Sequence, residues 1–296
     1  MSTFAKKVLL CIIGILAGLA SWPFSEIILF YQGYFPSYLV FSVFLGLIFG
    51  LFFGIFFSTT EGIFLQDKLK IVKGTLTGAI LGIIGGALGF LAGQLVLFII
   101  GDTFLHSTND FNKIGLPVSR AVSWAILGIF IGLIDGVRSG SGKKIGVGLL
   151  GGFIGGALGG CIFELLKYIL SSVVIGRIIG LMVFGLLVGF FYGLIEKKLS
   201  YGVLRLLNGV YRGKEYLINQ KKVRIGVLHK NDFTLSEYKG VEDSHALLYV
   251  KKGDIYLKNI SNSSFIKVND DVVAEQKLKF DDVIKIGEAK FLFKYK

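Results

Sequence analysis

With 53% hydrophobic residues and 41 glycines among 296, the chain is too apolar to be soluble throughout, and its net charge of +12 is not gathered on one face. Basic residues outnumber acidic ones by 14 to 8 before residue 200 and by 18 to 12 after it, a spread that argues against a nucleic-acid partner. Cys11 and Cys161 both lie in apolar runs, which leaves no disulfide framework and no thiolate metal site.

Residues 1–199 read as a glycine-rich transmembrane domain. Apolar runs of about twenty residues, enough to carry a helix across a bilayer, fall at 8–31, 38–60, 74–100, 118–137, 145–170 and 176–195. The first follows Lys6 and Lys7 in the layout of a secretory signal. Leu10 is too large to precede a lipoprotein cysteine at Cys11, however, and the apolar run resumes at Ile27 after Pro23 and Glu26. A retained helix kinked at Pro23 is the expectation. The loops sort by charge. Lys6 and Lys7, then Lys68, Lys70 and Lys73, then Arg138, Lys143 and Lys144, then Lys197 and Lys198 fall on one side. The other side carries the uncharged 31–37 loop and residues 101–117, with Asp102, Asp110 and Lys113; Arg120, at the outer end of the fourth span, runs against the sorting. The positive-inside rule therefore puts the lysine loops and both termini in the cytoplasm.

The bundle repeats itself. Gly54-Ile-Phe-Phe-Ser-Thr-Thr-Glu61 aligns with Gly128-Ile-Phe-Ile-Gly-Leu-Ile-Asp135 and with Gly189-Phe-Phe-Tyr-Gly-Leu-Ile-Glu196. Each of the first two copies is followed by a basic loop and a return helix carrying Ile-Gly-Gly-Ala-Leu-Gly, at 84–89 and 154–159. The third copy lacks a return helix in sequence. Gly78, Gly82 and Gly86, like Gly152, Gly156 and Gly160, recur every four residues, which places each set on one helix face for close packing. Phe90 is expected to face lipid. The repeated acids Glu61, Asp135 and Glu196 end their helices beside lysine loops, where ion pairing explains them; Glu164 and Lys167 are spaced for an i, i+3 pair.

Residues 200–296 alternate polar and apolar residues in short runs at 203–207, 215–219, 222–226, 232–235, 245–250, 254–259, 265–268, 283–286 and 289–294. Such spacing, with polar turns between, predicts an all-β sandwich. His106, His229 and His245 do not cluster, no phosphate-binding glycine loop occurs, and no nucleophile–base set can be assembled. No metal, cofactor or catalytic residue is expected, and an enzyme is the least supported function.

The order Arg224-Ile-Gly226, Asp232-Phe-Thr-Leu235, Val241-Glu-Asp-Ser-His-Ala246, Ile255-Tyr-Leu-Lys-Asn259 and Phe265-Ile-Lys-Val-Asn269 resembles the forkhead-associated (FHA) domain. Leu278-Lys-Phe-Asp-Asp-Val-Ile-Lys-Ile-Gly287 continues the resemblance. The membrane half is similar to bacterial proteins in which glycine-rich repeats precede such a domain. The resemblance implies an eleven-stranded sandwich whose loops at one end bind phosphothreonine peptides. In its pocket pattern Gly226 and His245 are kept. Val227 stands where the family has arginine, Glu242 where it has serine, Asp243 where a basic residue is common, and Ser264 where it has the asparagine five residues before Asn269. The implied scaffold is retained, but its phosphate seat has lost cations and gained carboxylates. A membrane-anchored interaction or signalling scaffold, docking a cytoplasmic protein or another copy of itself, follows as the expected function. The alternative is a channel or transporter subunit with the FHA-like domain as its regulatory module.

Overall fold

A computed structural model describes residues 2–104, 115–261 and 263–295. Asp110, Lys113 and His106, and the side chains of Asp102 and Lys167, lie outside the described parts. Among the described residues six α-helices come first: α1 (Thr3–Phe30), α2 (Tyr38–Leu65), α3 (Lys68–Phe104), α4 (Leu116–Ser139), α5 (Gly142–Ile169) and α6 (Val173–Leu199). All six are long and apolar enough to cross a membrane. α1 runs through Pro23 without interruption.

Local chemistry sets the helix ends. The Ser37 hydroxyl accepts from the Val40 N–H and opens α2. Gln66, in the left-handed conformation, closes it, and the Asp67 carboxylate then accepts from the Leu69 and Lys70 N–H groups at 3.0 and 3.2 Å to start α3. At the equivalent point of the next repeat Gly140 takes the left-handed position, with φ of 59°, between α4 and α5. Glycine adopts that conformation without the steric penalty that Gln66 bears.

Packing in the bundle is backbone on backbone. A Cβ added at Gly50 would overlap the Gly82 carbonyl, one at Gly54 the Gly78 carbonyl, and one at Gly46 the Gly86 carbonyl, which joins α2 to α3. Gly128 and Gly132 meet Gly152 and Gly148 in the same way between α4 and α5, while Gly156 and Gly160 lie against the backbone and side chain of Trp124. The third pair closes between distant parts of the chain. Gly185 of α6 abuts Gly14 of α1, and Gly189 abuts the Leu10 carbonyl. The return helix that the third copy lacks in sequence is thus supplied by α1. Phe90 is a correction: it is buried rather than lipid-facing, with its ring 5.9 Å from Phe49 and 5.6 Å from Trp124. The helix's apolarity on all sides hid which of its faces meets neighbours.

The chain divides into two compact units, Lys7–Gly140 with Lys144–Ile195, and Met1–Lys6 with Ser141–Lys143 and Glu196–Lys296. In the second unit eleven strands form two sheets: β1 (Gly202–Leu206), β2 (Glu215–Ile218), β3 (Lys222–Gly226), β4 (Phe233–Thr234), β5 (Ala246–Lys251), β6 (Asp254–Asn259), β7 (Ile266–Val268), β8 (Asp271–Val273), β9 (Glu275–Lys277), β10 (Val283–Ile286) and β11 (Ala289–Lys294). One sheet runs β2-β1-β11-β10-β7-β8 and the other β4-β3-β5-β6-β9. Alternate residues such as Leu204, Leu206, Ile225, Leu248, Leu257, Ile284, Ile286, Phe291 and Phe293 fill the space between them. The strand pattern at 271–277 was too short and polar to read in sequence, and β8 and β9 are additions. Asn269 and Asp270, both with positive φ, make the tight turn from β7 into β8.

The glycine contacts carry a direct expectation. Gly82→Leu forces α2 and α3 apart and lowers stability by about 1–3 kcal/mol or more. Gly146→Leu, at a glycine with nothing within 4 Å, is mild. Thermal unfolding of the two variants in the same detergent measures the difference, and equal melting temperatures refute the contact.

Candidate functional site

The retained residues of the sequence pattern meet at one end of the sandwich. Gly226 closes β3 so tightly against the 241–244 loop that a Cβ would overlap the Asp243 carbonyl and stand 2.7 Å from Asn231 Nδ2. The Val227 and Leu228 N–H groups donate to the Glu242 and Asp243 carbonyls at 3.0 and 3.3 Å. His245 is fully buried beneath this loop. Its N–H donates to the Ile225 carbonyl at 2.9 Å, and its carbonyl accepts from Ile260 at 3.0 Å. The imidazole Nδ1 accepts from the Glu242 N–H at 3.2 Å, and Nε2 lies 3.4 Å from the Phe265 carbonyl. That pattern fits a neutral ring with its proton on Nε2, and burial holds the His245 pKa below its ordinary value.

Glu242 is the centre of the cluster. Its carboxylate accepts from the Ser263 hydroxyl at 2.5 Å and from the hydroxyls of Ser261 and Ser264. Those three bonds, Ser263 foremost, bring its pKa down to about 2. The serine loop is itself braced, because Asn259 donates to the Ser264 carbonyl at 2.8 Å and the Ser264 N–H donates to Ser261 Oγ at 2.8 Å. Gly226, Val227, Glu242, His245 and Ser264 therefore share one site. Asn269 does not join them. It lies at the other end of β7, where its side chain donates to Asp282 at 2.8 Å and accepts from the Val283 N–H at 2.9 Å. Sequence reasoning missed Ser261 and Ser263; the polar run at 261–264 between two strands was the available signal. Phe265, next to that run, is 71% exposed.

Glu61 and Glu196 have partners distant in the chain, and Asp135 pairs with Arg138 of the loop that follows it. Glu61 meets Arg138 and, at 3.0 Å, Lys144. Asp135 meets Arg138 at 3.3 Å and accepts from the Tyr192 hydroxyl at 3.4 Å. Glu196 is buried and takes Lys6 at 2.6 Å and the Asn219 amide at 2.9 Å. Glu164 pairs with Arg120 at 2.9 Å, a partner from another helix that sequence spacing did not indicate. Among the described residues no group of three or more His, Cys, Asp or Glu is arranged to hold a metal ion.

The sandwich has the FHA-type fold that the motifs imply, preceded by six apolar helices. Residues 205–296 match the family described as the inner membrane component of T3SS, cytoplasmic domain. Among solved structures, the chain is similar to the FHA domain of the CT664 protein from Chlamydia trachomatis. The two are 16% identical, with 32% of this chain and 97% of that one covered and a TM-score of 0.30. An FHA domain from an Arabidopsis thaliana hypothetical protein is 19% identical over 32% of this chain and 85% of its own, with a TM-score of 0.30. A domain from a study of phosphothreonine-dependent FHA interactions is 23% identical over 32% and 96%, also at 0.30. No curated relative matches the chain.

The buried imidazole sets a pH dependence. The His245 pKa is lower folded than unfolded, so the unfolded chain binds the extra proton. Its contribution to stability is complete above the ordinary histidine pKa of about 6.5 and falls as pH drops through that value towards the folded one. Melting of the sandwich from pH 7.5 to 5.5, with the His245 ring signals followed by NMR, is expected to show declining stability and a His245 ring that takes up its proton at lower pH than an exposed histidine does.

Proposed function

We propose that the chain is a membrane-anchored protein-interaction scaffold whose FHA-type domain faces the cytoplasm and docks an unphosphorylated protein surface. The observation that carries this reading is the Glu242 carboxylate, which already holds the three serine hydroxyls of its loop. A phosphate arriving there would meet a fixed negative charge, with Asp243 beside it and valine at position 227 in place of a guanidinium. Exposed Phe265 offers an apolar anchor at the rim, the kind of residue that dominates protein interfaces when it enters a partner's pocket. The matched family's description, an inner membrane component with a cytoplasmic domain, supports the bacterial inner-membrane placement, as do the lysine loops. The role so described is binding, with no reaction assigned. A channel or transporter subunit regulated by the sandwich is the second reading, favoured by a polar cavity among the helices.

Two measurements test the first reading. The full-length chain in nanodiscs, titrated with paired phosphorylated and unphosphorylated threonine peptides, is expected to show no gain from the phosphate. Micromolar affinity that vanishes on dephosphorylation refutes the proposal. For orientation, Gly33→Cys and Ser236→Cys, each in a chain with Cys11 and Cys161 replaced, are exposed to an impermeant thiol reagent on spheroplasts. Labelling is expected at position 33 alone before lysis, and labelling at 236 reverses the topology.

A further inference from the structure

The half of the bundle remote from the lysine-bearing helix ends encloses a cavity of about 310 Å³. All six helices contribute to it, among them Ser25 of α1, Ser42 of α2, Gln94 of α3, Arg120 of α4, Glu164 of α5 and Arg177 of α6. Its volume is at the lower end of the roughly 300–1,000 Å³ that small-molecule sites occupy. One part of the wall is aromatic: Trp124 packs against Phe49 at 5.1 Å, Phe90 at 5.6 Å and Phe163 at 5.0 Å, and all four line the space. The rest is polar, with Gln94 donating to Ser42 at 3.1 Å and the Ser119 and Ser123 hydroxyls close by.

Among the described residues, more guanidinium groups than carboxylates line this cavity. Arg120 and Arg177 both line the cavity, and Glu164 is the one carboxylate among the described residues that does. Glu164 is nearly fully buried and binds Arg120 at 2.9 Å, while the Arg120 side chain remains 36% exposed. Arg177 leans on Glu26, which stands outside the cavity wall and also accepts from Trp22 at 3.1 Å. The Arg177 Nε is 2.9 Å from that carboxylate but out of hydrogen-bond alignment, so a buried N–H is left without an acceptor. Buried ion pairs are costly compared with apolar packing, and ionisable groups at membrane depth mark sites of binding or transport. A guanidinium fork matches the geometry of a carboxylate or a phosphate oxygen pair.

We propose that this cavity binds a small monoanionic amphiphile, its acidic group held by Arg120 and Arg177 and its apolar part seated against Trp124. The acidic group gives the Arg177 N–H its acceptor and meets the exposed part of the Arg120 guanidinium. A free organic acid and the headgroup of an anionic phospholipid share this chemistry, and the test separates them.

The chain has two tryptophans, and Trp22→Phe leaves Trp124 as the reporter in the cavity wall. Full-length W22F protein in phosphatidylcholine nanodiscs is titrated with 4-bromobenzoate and with the neutral 4-bromobenzamide, reading heavy-atom quenching of Trp124. A second arm compares nanodiscs carrying brominated-chain phosphatidylglycerol with ones carrying brominated-chain phosphatidylcholine. Saturable quenching by the acid, about tenfold or more tighter than by the amide, supports a free organic anion; preferential quenching by the brominated phosphatidylglycerol supports a lipid headgroup. R177Q, and R120Q combined with E164Q so that no buried charge is orphaned, are each expected to weaken the preferred probe about tenfold or more. Where a variant does not fold, the acid–amide and lipid comparisons on otherwise native protein still decide. Equal quenching by acid and amide, with no preference for the anionic lipid, overturns the proposal.

Discussion

Contact between helix backbones is the constraint on which the membrane half depends. Inside a bilayer apolar burial gives helices little reason to associate, because lipid chains are as apolar as leucine side chains. Attraction has to come from close packing and from polar contacts, and dispersion weakens sharply when surfaces stand apart by even a fraction of an ångström. Gly50 on Gly82, Gly128 on Gly152 and Gly14 on Gly185 bring three helix pairs to distances that no side chain permits. Glycine is a poor helix former in water. Its use here shows that adhesion between helices outweighs the stability of each helix alone.

Ion pairs supply the specificity that glycine contacts lack. A glycine face fits many partners, but Glu61 reaches across to Arg138 and Lys144, and Glu164 to Arg120, each joining separate helices. A slipped helix would leave a part-buried charge without its partner. In the sandwich, Glu242 plays the corresponding part. It secures the 261–264 loop without asking for a charged partner, since three hydroxyls and a backbone N–H bonded to His245 surround the turn.

Much of this was legible in the sequence because it is written locally. Span positions follow from run length, the strands from alternation, and the FHA-type fold from motifs that keep their order. The glycine faces were visible as a four-residue period. Legibility ended where distant segments meet. Nothing in the α6 sequence indicates that α1 is its partner, and nothing near Glu164 points to Arg120. Phe90 was misplaced for a related reason: on a helix apolar all round, lipid and protein surroundings select the same residues. At the candidate site the substitutions at 227, 242 and 264 could be counted, and their chemical sense emerged from geometry. Glu242 takes the hydroxyls of the neighbouring loop for itself, which its position in the sequence did not indicate. Asn269 shows the converse, a family-pattern residue whose side chain serves the β7–β8 turn and β10.

The pairing of α1 with α6 has a consequence for the order of biosynthesis. Gly14 and Gly185 are separated by 171 residues, so α1 finds its partner only after α6 has been made. The two internal hairpins, α2 with α3 and α4 with α5, can form as they emerge, because each pair is joined by a short turn. α1 must meanwhile wait in lipid with its glycine groove unfilled, as a docking strip for whatever small-faced helix passes. The bundle is completed by a closing step rather than by extension. Since β1 follows α6 directly, the helix that completes the α1–α6 contact is also the one that delivers the sandwich.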